Sequence, residues 1–114
     1  MSDCLFCNIV ARTIPTPLVY EDDLVVAFDD INPQAPIHTL VIPKAHVASM
    51  AELHNSDAEL PGRLMLVGSK IAKLKEIADS GYRVVVNTGS HGGQSVFHLH
   101  LHVLGGRHLA WPPG

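Results

Sequence analysis

The sequence predicts an α+β fold in which one long and one short helix cover an antiparallel sheet of about five strands. Three observations carry that expectation. Apolar residues recur at helical spacing across residues 57–79. Several short runs rich in Val, Ile and Leu are bounded by Pro, Gly, Asp and Asn. The links between those runs are mostly short, which favours antiparallel neighbours over parallel crossovers.

Taken in order, residues 3–11 read as a short helix. Leu5, Phe6, Ile9 and Val10 fall at near-helical spacing, and Pro15 and Pro17 close the element. Residues 18–21 and 24–30 read as strands joined by the polar turn Glu21-Asp22-Asp23. Asn32 to Pro36 is a loop by its prolines, and His38 to Ile42 a strand closed by Pro43. The long helix carries Leu60, Leu64, Val67, Ile71, Leu74 and Ile77 on one stripe. Ser56 and Glu59 offer a capping box, Pro61 moves the regular start towards itself, and Gly81 serves as terminator. Met65, Gly68 and Ala72 form a second patch, either ordinary core or a face for a second subunit. Tyr82 to Asn87 is a strand, Gly89 to Gly93 a glycine-rich loop, and Phe97 to Leu104 the last strand. The tail from Leu109 is too rich in proline for regular structure.

At 114 residues the chain reads as a single domain, 1–114. Apolar residues make up 46% and charged residues 17%, a globular balance. The formal charge of −3 argues against polymeric nucleic acid, which wants a basic footprint, but a mononucleotide needs only a few local donors. No secretory start and no membrane span is visible. Two cysteines make no disulfide framework, so the reading is a cytoplasmic protein with reduced thiols.

Eight histidines are the outstanding compositional fact. Side chains alternate across a strand, so His98, His100 and His102 are expected on one face, with Phe97, Leu99, Leu101 and Val103 buried on the other. Three imidazoles can hold a catalytic zinc, but residues two apart on a strand lie roughly 6–7 Å apart and close poorly on one ion. The other reading is nucleophilic attack on phosphorus by a neutral imidazole held in one tautomer, with His100 the natural nucleophile. The loop Gly89 to Ser95 supports phosphate chemistry, because glycines let backbone N–H groups approach an anion. A flexible hairpin loop is the alternative for that segment.

The stretch His98-Leu99-His100-Leu101-His102-Val103 resembles the H-x-H-x-H motif of the histidine triad (HIT) family. Phe28 to Pro36, His38 to Lys44, Gly92 to Phe97 and the ending Leu104 to Arg107 with Trp111 to Gly114 extend the resemblance, closest to the Hint branch. It implies a HIT-like fold and hydrolysis of purine nucleoside phosphoramidates and aminoacyl adenylates through a nucleotidyl-histidine. In that scheme His100 is the nucleophile, His102 contacts the phosphate and leaving group, and His38 orients the triad that includes His98. Asn87, Gly93, Ser95 and Val96 hold the phosphate, and Asp30 takes the ribose hydroxyls. Leu5, Phe6, Ile9, Phe28 and Ile31 line the purine cleft. The resemblance further implies no catalytic metal and a homodimer with a continuous sheet, Trp111 lying near the partner's site. A nucleotide-binding scaffold with little turnover, or a dinucleoside polyphosphate hydrolase or nucleotidyltransferase, are the alternatives.

Cys4-Leu5-Phe6-Cys7 reads as a redox pair, half a zinc site or two small hydrophobes. Some bacterial HIT proteins resemble this start and bind structural zinc, which implies Cys4, Cys7, His46 and His98 as ligands. The Hint branch usually lacks that metal and gives the first triad histidine a supporting catalytic role. His54, His91 and His108 read as solvent or loop residues.

Overall fold

Five strands form one antiparallel sheet, in a computed structural model that describes residues 2–114. They are β1 (Tyr20–Glu21), β2 (Val25–Asp29), β3 (Ile37–Pro43), β4 (Tyr82–Val85) and β5 (Leu101–Gly105). Their spatial order is β1-β2-β3-β5-β4, and every pairing is antiparallel. Helix α1 (Leu5–Val10) precedes the sheet and α2 (Glu59–Leu74) joins β3 to β4.

Strand alternation divides the core between the two faces. Val25, Ala27, Val41, Leu101 and Val103 pack with Leu64, Val67, Ile71 and Ala72 of α2. Val26, Phe28, Leu40 and Ile42 pack with Phe6 and Ile9 of α1. The helix α2 lies close on β5 at Gly68, where an added Cβ would stand 3.2 Å from Leu101 Cδ2. The expected second patch is therefore split: Gly68 and Ala72 are buried, while Met65 points to solvent. Among the described residues no helix is long and apolar enough to cross a membrane.

The residues that terminate the helices differ from expectation, and α2 also ends earlier, at Leu74. Helix α1 stops at Arg12 (φ 63°), before the prolines: Arg12 N–H donates to the Ile9 carbonyl and Thr13 N–H to that of Asn8. Helix α2 stops in the same way at Glu76 (φ 61°), where Glu76 N–H donates to Lys73 and Ile77 N–H to Ala72. Both are Schellman motifs with a non-glycine residue in the left-handed position. The stripe breaks there, so Leu74 is 60% exposed while Ile77 is buried beyond the helix. Gly81 (φ 110°) instead turns the chain into β4. At its start, α2 begins at Glu59 with Pro61 in the first turn, where a missing N–H loses no intrahelical bond. The preceding turn is closed by the Asp57 carboxylate, which accepts from His54 N–H at 2.9 Å, and not by Ser56.

The last strand begins at Leu101, four residues later than expected. The ladder with β3 ends at the Val41–Leu101 pair. Beyond it Pro43 has no N–H to give, and its carbonyl accepts from the His98 ring at 2.8 Å. The segment 97–100 is held by Leu99 N–H, which donates to the Val47 carbonyl. Leu99 is buried as expected, whereas Phe97 leaves the core and is 57% exposed.

Candidate active site and metal cluster

The face of the sheet that carries α1 holds a cavity of about 450 Å³. Leu5, Phe6 and Ile9 of α1, Phe28 of β2, and Ile31 and Val96 from loops give it an apolar wall. Asp30, His38, Ser95, His100 and His102 supply its polar side. Ile14, Thr16, Asp29, Asn32, Gln34 and Leu40 also line it and were not singled out from sequence. Asn87, Gly93 and Trp111 are not among its lining residues, and the Trp111 ring is 82% exposed. Neither is His98. His54, His91 and His108 are exposed.

The imidazoles have separate fates, set by the backbone group each meets. The Nδ1–H of His100 donates to the His98 carbonyl at 2.7 Å, which leaves Nε2 of His100 as a free lone pair. Phe6 packs edge-on against that ring, with centroids 5.1 Å apart. Gln34 N–H donates to Nδ1 of His38 at 3.0 Å, so the proton of His38 sits on Nε2. That Nε2–H then donates to Nδ1 of His102 at 2.8 Å, leaving the His102 proton on Nε2. The His102 Nε2 atom is buried without a partner among the described residues. Burial, followed by the neighbouring His100 and His38, pushes the His102 pKa down to about 4, so the ring is neutral near pH 7. Burial likewise lowers His38, against the raising pull of Asp30. The Asp30 carboxylate accepts from Asn32 N–H at 2.9 Å and lies 3.5 Å from His38 Nε2.

The His98 ring turns to the opposite task. Its Nε2–H donates to Pro43, so Nδ1 is bare and faces Cys4 Sγ at 3.3 Å, Cys7 Sγ at 3.5 Å and His46 Nδ1 at 3.3 Å. Cys7 Sγ stands 3.3 Å from His46 Nδ1. Metal–nitrogen bonds of about 2.0–2.1 Å and metal–sulfur bonds of about 2.3 Å give tetrahedral edges of roughly 3.3–3.6 Å. The measured separations fit those edges, and the Pro43 carbonyl is the outer-sphere partner that a ligating histidine needs. Asp30, His38 and His102 also lie close enough together to suggest a metal. Their surroundings argue the reverse: Gln34 N–H forces the proton onto His38 Nε2, the very atom that would have to ligate. Of the two roles open to His98 from the sequence, catalytic support and metal ligand, the ring's position beside Cys4, Cys7 and His46, and its absence from the cavity lining, match the second. His98 serves the cavity through its carbonyl and the cysteine cluster through its ring.

This fold and site define a family. The HIT domain model matches residues 11–109, and the chain belongs to the HIT family. An uncharacterised HIT-like protein of Synechococcus elongatus is 52% identical over 112 residues, 98% of this chain and 97% of the relative. A HIT family hydrolase from Legionella pneumophila superposes with a TM-score of 0.95 at 46% identity, covering 98% of this chain and 100% of that one. A histidine triad nucleotide-binding protein from Candida albicans has a TM-score of 0.81 at 30% identity, covering 89% and 73%.

Proposed function

We propose that this protein hydrolyses purine nucleoside phosphoramidates and aminoacyl adenylates, as in the Hint branch, through a nucleotidyl-His100 intermediate. The observation that carries the reading is the bare Nε2 of His100, fixed by the His98 carbonyl beside an apolar cavity with a carboxylate at its rim. The purine stacks among Phe6, Ile9, Phe28 and Ile31, and Asp30 accepts from the ribose hydroxyls. In the first step His100 Nε2 bonds to phosphorus. In a phosphoramidate the P–N electron pair leaves on the amine, which takes up a solvent-derived proton while His102 Nε2–H donates a hydrogen bond at its side; in an aminoacyl adenylate the P–O pair leaves on the carboxylate, which needs no proton. In the second step water displaces His100 from phosphorus and releases the nucleoside monophosphate and one proton. Ser95, with Asn87, Gly93 and Val96 nearby in the chain, holds the phosphate oxygens. A relative named for hydrolase activity and another named for nucleotide binding support the assignment.

Two further parts complete it. Cys4, Cys7, His46 and His98 hold a structural zinc that ties α1 to the segments after β3 and before β5, while catalysis needs no cofactor. Two copies pair through β4, which is an edge strand among the described residues and whose Tyr82 and Val84 are exposed; Met65 and Leu66 of α2 are exposed as well. This arrangement brings Trp111 to the partner's cavity. Mass spectrometry after brief mixing with an AMP–amine conjugate tests the chemistry. An AMP adduct on His100, absent in His100→Ala, is expected; full turnover by His100→Ala refutes it.

A further inference from the structure

We infer that Gln94 is a positioning residue for phosphate chemistry: its buried amide braces the glycine-rich loop so that Ser95 is presented to the cavity. The inference rests on the phosphate-handling reading above. Gln94 is only 6% exposed, although a glutamine in a loop ordinarily faces water. Its side chain holds three main-chain groups from three stretches of chain. Oε1 accepts from Gly89 N–H at 3.0 Å, and Nε2 donates to the Ala48 carbonyl at 2.8 Å and to that of Val96 at 3.1 Å. Its own N–H donates to the Gly89 carbonyl at 3.1 Å, so Gly89 and Gln94 are bonded in both directions and the loop closes on itself.

The loop has little slack elsewhere. Gly89 and Gly93 take φ of 74° and 85°, and a Cβ on Gly92 would stand 2.5 Å from the Thr88 carbonyl oxygen. Ser95 follows directly. It lines the cavity, and neither its N–H nor its hydroxyl has a protein partner among the described residues. Those two donors are therefore ready for an anion, and their place is set by the bonds on either side, at Gln94 and at Val96. The anchor at Ala48 reaches further. Val47 next to it accepts from Leu99 N–H, so one short segment fixes the loop and the histidine stretch together. An apolar side chain of the same length fills the space but leaves Gly89 N–H and two carbonyls without partners, which frees the loop to move.

The test compares wild type with Gln94→Met and with Gln94→Glu, which keeps the acceptor for Gly89 but loses both donors. Hydrolysis of an AMP–amine conjugate is followed, with calorimetric affinities for AMP and for adenosine. In each variant kcat is expected to fall about 10–100-fold, since small misplacements are costly in a positioned site. KM should move less than about threefold. The preference for AMP over adenosine should shrink, with adenosine affinity unchanged. A folded variant that keeps wild-type kcat and the AMP preference overturns the inference. So does one that loses adenosine binding along with AMP, which marks a merely structural role. Should Gln94→Met not fold, Gln94→Glu decides by the same criteria. If wild type neither turns over the conjugate nor prefers AMP, the functional reading itself has failed, and that outcome is visible without any variant.

Discussion

At the scale of single residues, four histidines of one type acquire different chemistry from one hydrogen bond each. A backbone carbonyl at Nδ1 of His100 leaves its Nε2 bare towards the cavity, and a carbonyl at Nε2 of His98 leaves its Nδ1 bare towards Cys4, Cys7 and His46. A backbone N–H at Nδ1 of His38 sends a proton towards His102. The roles thus depend on partners that lie 2 to 64 residues away in sequence. If His102 Nε2–H assists the leaving group, His102→Ala lowers kcat about 100-fold or more, with KM nearly unchanged. Steady-state kinetics on an AMP–amine conjugate checks this, and a pure KM effect would contradict it. The cysteine cluster predicts about one zinc per chain by elemental analysis. Stripping it with a chelator, or Cys7→Ser, should lower the thermal midpoint, because metal binding free energy adds to folding free energy. A metal-free protein of unchanged midpoint would count against it.

At the scale of elements, both helices end for one physical reason, which for α2 brings the end forward from residue 79 to Leu74. Glycine is the expected residue in a left-handed cap, yet Arg12 and Glu76 occupy those positions. The Schellman bonds and, at α2, burial of Ile77 after the cap outweigh the local steric cost. That cost is still present, so Glu76→Gly should stabilise the protein by about 0.5–1 kcal/mol. Chemical denaturation measures it, and a destabilised variant would show that the Glu76 side chain matters more than its backbone. Strand β5 begins late on similar grounds: the alternation of His98 to Val103 is real, but Pro43 ends the partner's hydrogen bonding before the alternation ends.

At the scale of the whole molecule, one sheet separates two functions. The α2 face is an apolar packing surface, and the α1 face carries the cavity, the hydrogen-bonded His38–His102 pair and the cysteine cluster. Burying neutral histidines there has a consequence for pH. Burial holds His102 near 4 and lowers His38, while unfolded histidine protonates near 6.5. Between those values the unfolded chain binds more protons, so the histidines' contribution to stability is full above about pH 6.5 and is lost as pH drops towards 4. Below that, protonation of Asp22, held down to about 2 against the raising effect of burial by its hydrogen bonds, continues the fall. Denaturant unfolding from pH 7.5 to 4.5 should trace that fall, and a flat profile would refute it.

The sequence alone determined the layer plan, the long helix, most strands and the family, because those rest on apolar periodicity and on a motif contiguous in the chain. It also held eleven of the seventeen cavity-lining residues. Only the tertiary structure decided which way each imidazole turns, that Gln34 and Gln94 matter, and that His98 leaves the cavity for Cys4, Cys7 and His46. Tautomers and ligand sets are fixed by main-chain groups brought together from distant segments, and a backbone carbonyl carries no signature in the identity of the residue that bears it.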